Sequence, residues 1–177
     1  MNKQAFIIGG IAVVVIGIGI ALAISDQKNQ KYEVRENSKD LPSVGEEITA
    51  LKSGHINSGA PHDSYNSNPP TSGDHLASPA KWGVYSTPLT DEQAIHNLEH
   101  GGIWISYKDI DDQTKSQLET IAKANGGSVI LSPRPNNDTK IAMASWGRLE
   151  KLDGYDEAKI LEFIRSNKNK SPEPIAF

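Results

Sequence analysis

The sequence predicts an α+β fold: one small domain with a mixed sheet, two or three helices and a long ordered irregular loop, preceded by a transmembrane helix. Three observations carry this reading. The run Ala5 to Ile24 has no charged or polar side chain; as a helix it would be about 30 Å long, enough to cross a bilayer. Roughly 150 residues lie outside it, the usual size of one domain. Beyond Pro88 the apolar pattern reads strand, helix, strand, strand, helix, an order in which helix-linked strands run parallel and helices cover one sheet face.

Residues 1–4 form a short cytoplasmic end and residues 5–24 a signal anchor. Lys3 precedes the apolar run while Asp26, Lys28, Lys31 and Arg35 follow it, so flanking charge gives little orientation signal. A first apolar segment this close to the amino terminus leaves the remainder outside the cytoplasm. Ala21-Leu22-Ala23 fits a signal-peptidase site, but the apolar run exceeds the roughly 7 to 15 residues of a cleaved signal core, which favours an uncleaved anchor. The expected place is the cell membrane, single-pass, with an extracytoplasmic carboxyl-terminal domain.

Residues 25–51 are polar and of mixed charge and read as a stalk. Residues 52–170 read as the globular domain. Its first part, Lys52 to Pro88, is rich in Gly, Pro, Ser and Asn, yet carries Tyr65, Trp82, Val84 and Tyr85, large residues that suit an ordered loop better than a disordered tract. Thr90 is placed to cap a helix, with Gln93 at the capping-box spacing, that runs through His96 and stops at Gly101-Gly102. Ile103–Tyr107 reads as a strand. Asp112–Ala124 reads as an amphipathic helix with Leu118, Ile121 and Ala122 inward. Ser128–Ser132 and Lys140–Trp146 read as two strands joined by a turn-rich segment and expected to pair as an antiparallel hairpin. The last helix, about Asp156 to Ser166, has Ile160, Leu161, Phe163 and Ile164 on one face, and residues 171–177 form a polar tail.

Net charge is −4, from 18 basic and 22 acidic residues without a basic cluster, which argues against nucleic acid because phosphate-backbone binding needs a concentrated cationic face. The absence of cysteine excludes a disulfide framework and a lipid-modified cysteine.

All five histidines, His55, His62, His75, His96 and His100, fall within one stretch. Imidazole binds transition metals at neutral pH without first losing a costly proton, so clustered histidines point to a metal. His96 and His100 are four apart on a helix and can reach one ion. Upstream, Pro69-Pro70-Thr71-Ser72-Gly73-Asp74-His75 couples stiff prolines to a Gly turn and delivers His75. Several imidazoles without thiolate suit copper or zinc rather than calcium, and Met143 in an apolar strand reads as core.

The strings Tyr65-Asn66-Ser67-Asn68-Pro69-Pro70-Thr71-Ser72-Gly73-x-His75, Trp82-Gly83-x-Tyr85, His96-Asn97-Leu98-Glu99-His100-Gly101 and Ala144-x-Trp146-Gly147-Arg148 resemble domain-of-unknown-function family 3105, from about His55 to Phe163. The resemblance implies a membrane-anchored extracytoplasmic protein and no particular reaction. His55, His75, His96 and His100 match its pattern and His62 does not; Asp74 stands where a proline is common.

The expected metal ligands are therefore His75, His96 and His100, with His55 or Glu99, and the expected partners are the membrane and a metal ion. Two other readings compete. His75, Tyr65, Trp82, Glu99 and His100 can form a buried hydrogen-bond network with no metal. His96-Asn97-Leu98-Glu99-His100 also fits the H-x-x-E-H zinc-hydrolase pattern with Glu99 as general base, against which stand the abrupt Gly101-Gly102 stop and the lack of an evident substrate-binding subdomain.

Overall fold

The computed structural model describes residues 31–33 and 40–176. In chain order these form β1 (Glu46–Glu47), β2 (His55–Ile56), β3 (His75–Leu76), β4 (Gly83–Val84), α1 (Asp91–Glu99), β5 (Ile103–Tyr107), α2 (Asp112–Ala124), β6 (Val129–Pro133), β7 (Ile141–Ser145), β8 (Arg148–Leu152) and α3 (Glu157–Asn167). The architecture is α+β. The expected transmembrane run, residues 5–24, lies outside the described residues; among those described, no helix is long and apolar enough to cross a membrane.

The six-stranded mixed sheet has the order β1-β8-β7-β5-β6-β4, and β2 and β3 form a separate parallel pair. β5 is central and all five of its residues are buried. Successive side chains of a strand point to opposite faces, so β5 splits between two cores. Ile103, Ile105 and Tyr107 join Leu118, Ile121 and Ala122 of α2 and Ile160, Phe163 and Ile164 of α3. Trp104, on the other face, joins Ala94 and Leu98 of α1. Helices thus cover both faces rather than one: α2 and α3 pack on one side, α1 with the irregular loop on the other.

β5 and β6, linked by α2, are parallel as expected. The hairpin expected between the strands around 128–132 and 140–146 does not form. β5 lies between them, pairing antiparallel with β7 on one side and parallel with β6 on the other. The connection after β6 passes the end of β5, where the buried Arg134 holds it: the guanidinium donates to both carboxylate oxygens of Asp91 (2.8 and 2.7 Å) and to Asn137 and Asn68. The true hairpin is β7–β8, with Ser145 opposite Arg148 and Gly147 at φ 69° in the two-residue turn. β8 escapes a hydrophobicity reading because Arg148-Leu149-Glu150-Lys151-Leu152 buries only its two leucines.

Residues on both sides of 52–170 bond to the sheet and to α1. The carboxyl-terminal part of the segment read as a stalk belongs to the sheet: β1 pairs with β8, and the Asn167 amide exchanges two hydrogen bonds with the Val44 backbone. An exposed edge strand of two glutamates leaves no hydrophobic trace in the sequence. The polar tail is likewise docked, since the Glu173 amide donates to the Glu99 carbonyl and the Ile175 and Ala176 amides donate to the His100 carbonyl. Backbone bonds hold it, which composition does not reveal.

Candidate metal centre

α1 begins at Thr90, whose Oγ1 accepts from the Gln93 amide at 3.2 Å. It ends in a Schellman turn: Gly102 N–H donates to Asn97 O and Gly101 N–H to Leu98 O, both at 2.9 Å, with Gly101 at φ 83°, a conformation that favours glycine. The stop is sharp because the space beyond is occupied. A Cβ on Gly102 would lie 2.4 Å from the Trp82 ring.

Two side chains of α1 fasten the irregular loop. The buried Asn97 amide bonds both the N–H and the C=O of Ala80 at 2.9 Å, and His96 Nδ1–H donates to the Leu76 carbonyl at 2.6 Å. Replacing Asn97 by Ala leaves both Ala80 groups without their partner, at a cost of about 2 kcal/mol. The expected result is a fall in melting temperature of about 4–8 °C, read by circular dichroism.

His75 is delivered by the buried turn Pro69–Gly73. Gly73 sits at φ 119° with the Tyr65 ring 3.0 Å from where a Cβ would stand; Tyr65 OH donates to the Asp74 carbonyl at 2.8 Å, and the Leu51 amide donates to Ser72 Oγ at 2.9 Å. The parallel pairing of β2 with β3 sets His55 opposite His75.

The imidazoles of His55, His75 and His96 meet. Their ring centroids are 5.1 Å apart in each of the three pairs, and one ligand nitrogen from each lies within 4.8 Å of the others. A tetrahedral zinc site with ligand atoms bound at 2.0–2.1 Å needs them roughly 3.3–3.4 Å apart, so the rings would have to draw together to bind one ion. His75 and His96 are buried, whereas the His55 side chain is 56% exposed, which leaves one side open to solvent. His100 adjoins His96 without being one of the three: its Nε2 is 3.2 Å from His96 Nε2 and 3.5 Å from the Glu173 carboxylate. Glu99 faces the triad, with Oε2 2.9 Å from His75 Nε2 and 3.9 Å from His55 Nε2. His62 is elsewhere, beside Glu92 at 3.4 Å.

The hydrogen bonds fix the tautomer of two of the rings. His75 Nδ1 faces the Gly73 carbonyl at 2.8 Å and His96 Nδ1 faces Leu76 O; a carbonyl only accepts, so both Nδ1 atoms carry hydrogen, and the Nε2 atoms face Glu99 Oε2 and His100 Nε2 respectively. Orienting a ligand histidine through its other ring nitrogen is the usual supporting interaction at metal sites. His75 Nε2 faces Glu99 Oε2 at 2.9 Å. Burial, reinforced by the neighbouring His100, His75 and His55, lowers the His96 pKa below the ordinary imidazole value despite the bond to Leu76, which favours the neutral ring.

Sequence reasoning missed the groups that orient these side chains: the Gly73 and Leu76 carbonyls, Ser53, whose Oγ is 3.4 Å from Glu99 Oε1, and Glu173. Ser53 stands two residues before His55, a proximity that offers some signal; Glu173 offers none.

No curated protein and no solved structure matches this chain. Residues 57–176 match the family described as "Protein of unknown function (DUF3105)", a match that takes in α1, the buried Pro69–Gly73 turn, the strands β3 to β8 and the docked tail. The chain belongs to that family.

Proposed function

We propose that this chain is a membrane-anchored extracytoplasmic protein that binds a transition metal, copper or zinc, through His55, His75 and His96. Glu99 serves as a fourth ligand or as the carboxylate that orients His75, and His100 is an outer ligand beside His96. The convergence of three imidazoles, two of them with Nδ1 already committed to a backbone carbonyl, carries the reading. Nitrogen and oxygen donors suit Cu(II) and Zn(II), and Met143 is buried in the core on the face packed by α2 and α3. Such a site serves metal capture, storage or delivery without requiring a catalytic group.

A second reading has its own support. His75 is hydrogen-bonded to Glu99 and His96 to His100, and His75 and His96 also to the backbone, so the cluster can act as a network that pins the loop to α1. Hydrolysis of the H-x-x-E-H kind ranks third, because Glu99 is engaged by His75 and His55.

Titration of the full chain in mild detergent with Cu(II), followed by electron paramagnetic resonance, separates these readings. Nitrogen hyperfine structure saturating near one equivalent supports the metal site; a spectrum of loosely bound copper with no saturation supports the network. Retention should also depend on pH. Ligands must shed protons, so affinity falls on acidification, steeply below about pH 6.5. In the metal-free chain, the depressed His96 pKa contributes stability that is present above the unfolded pKa and is lost as pH falls through the folded value. Melting temperature should therefore drop from pH 7 to pH 5, and drop less in His96→Asn; thermal unfolding across that range checks it.

A further inference from the structure

A second cluster of polar side chains lies away from the histidines, around the β7–β8 turn. An open cavity of about 420 Å³ is lined there by Ser43, Thr49, Trp146, Arg148 and Lys170, with Glu47 at its edge. That volume falls within the range of small-molecule sites.

The charges in this cavity are unbalanced. Lys170 Nζ donates to the Leu41 carbonyl and to Ser43 Oγ, and among the described residues no carboxylate pairs with it. Burial, followed by the Arg148 charge, holds the Lys170 pKa below the ordinary lysine value. Arg148 has a carboxylate partner, Glu47 at 2.8 Å, but that glutamate side chain is 75% exposed, and an exposed pair of this kind is weak enough to exchange for a better anion. Two cations thus share one polar cavity whose native carboxylate is loosely held. Hydroxyl donors stand beside them, and the half-buried Trp146 supplies a flat apolar wall. Arg presents a planar fork that matches oxyanion geometry, while Lys adds a point charge.

We propose that the cavity between β1 and the β7–β8 turn is a binding site for a small phosphate-bearing ligand, held by Arg148 and Lys170 with Ser43 and Thr49 as hydroxyl donors. The ligand replaces Glu47 on the Arg148 guanidinium. A phosphate ester places its organic part against Trp146. This site is independent of the histidine cluster and of any metal there.

The test uses the full chain in mild detergent, titrated by isothermal calorimetry with inorganic phosphate and with glycerol phosphate, against chloride at matched ionic strength. Saturable binding is expected. Arg148→Gln should weaken it by about tenfold or more, the loss expected for one charge-assisted contact. Glu47→Gln removes the competing carboxylate from an exposed position and should tighten binding; a gain of affinity cannot come from misfolding, so this variant keeps the test decisive if Lys170→Gln unfolds. Tighter binding of glycerol phosphate than of inorganic phosphate identifies an ester, of the kind a lipid headgroup carries, as the ligand; equal binding identifies free phosphate. Heat no greater than in chloride, or identical affinities in wild type, Arg148→Gln and Glu47→Gln, overturns the proposal.

Discussion

Replacing His96 by Ala should abolish metal retention and destabilise the metal-free domain by about 3 kcal/mol. The two effects have separate origins. His96 contributes its Nε2 to the triad, and losing one of three imidazoles should weaken affinity by about a hundredfold or more, at least as much as losing a group that merely orients a ligand. Its Nδ1–H is also the partner of the Leu76 carbonyl, so truncation leaves that acceptor unsatisfied and opens a void at a position only 4% exposed, each costing about 1–2 kcal/mol. His55→Ala is the informative companion. Its side chain is half exposed, so truncation should change stability by less than about 0.5 kcal/mol while still removing a ligand. Chelator competition and thermal unfolding on both variants check the pair: a metal site predicts weakened binding in both and destabilisation in His96→Ala alone. Unchanged copper affinity in His55→Ala removes His55 from the ligand set.

Gly101→Ala should be strongly damaging. Gly101 adopts φ 83°, and an added Cβ would stand 2.6 Å from Asn169 Oδ1 and 2.9 Å from Asn169 Cα. A left-handed conformation costs a non-glycine residue about 1–2 kcal/mol, and the overlap with backbone adds a similar amount. The expected loss is about 3 kcal/mol, or about 6–12 °C in melting temperature. The damage should also spread, because Asn169 bonds both the Ala176 amide and carbonyl, and through Ala176 the tail reaches the His100 carbonyl. Amide hydrogen exchange at Glu173, Ile175 and Ala176 should accelerate in the variant ahead of exchange in β5. Protection unchanged at the tail would contradict the view that Gly101 couples the end of α1 to it.

The parts of the fold legible in the sequence are those that bury a periodic apolar face. The helix at Asp112–Ala124, with Leu118, Ile121 and Ala122 inward, and the parallel relation of the strands on either side of it follow from spacing and connection length. The order of strands across the sheet was not legible, because two neighbouring apolar segments carry no mark of a third strand lying between them. The connection is held instead by Arg134, whose partners Asn68, Asp91 and Asn137 are scattered along the chain. β1 and the docked tail were hidden for a different reason: backbone hydrogen bonds at an exposed edge need no particular composition.

The candidate site was legible in its membership more than in its shape. Clustering along the sequence indicated that His75, His96 and His100 converge with His55 or Glu99, whereas the three imidazoles that meet in the structure are His55, His75 and His96. The i, i+4 spacing also suggested His100 as an equal of His75 and His96, yet it lies outside the triad. Helical spacing places His100 above His96; it is the pairing of β2 with β3, two strands of two residues each, that brings His55 to the centre instead. Pairing of that kind depends on the buried Pro69–Gly73 turn, whose geometry local propensity does not specify.

The most direct test of a metal centre at this cluster is the metal content of the untagged full chain, equilibrated with trace Cu(II) and Zn(II), dialysed, and measured by elemental mass spectrometry beside His75→Ala and His96→Ala. One equivalent of copper or zinc per chain, lost in both variants, is the predicted result. No retained metal in the wild type, or equal retention in all three, would contradict the metal site and leave the histidines as a hydrogen-bond network holding the irregular loop against α1.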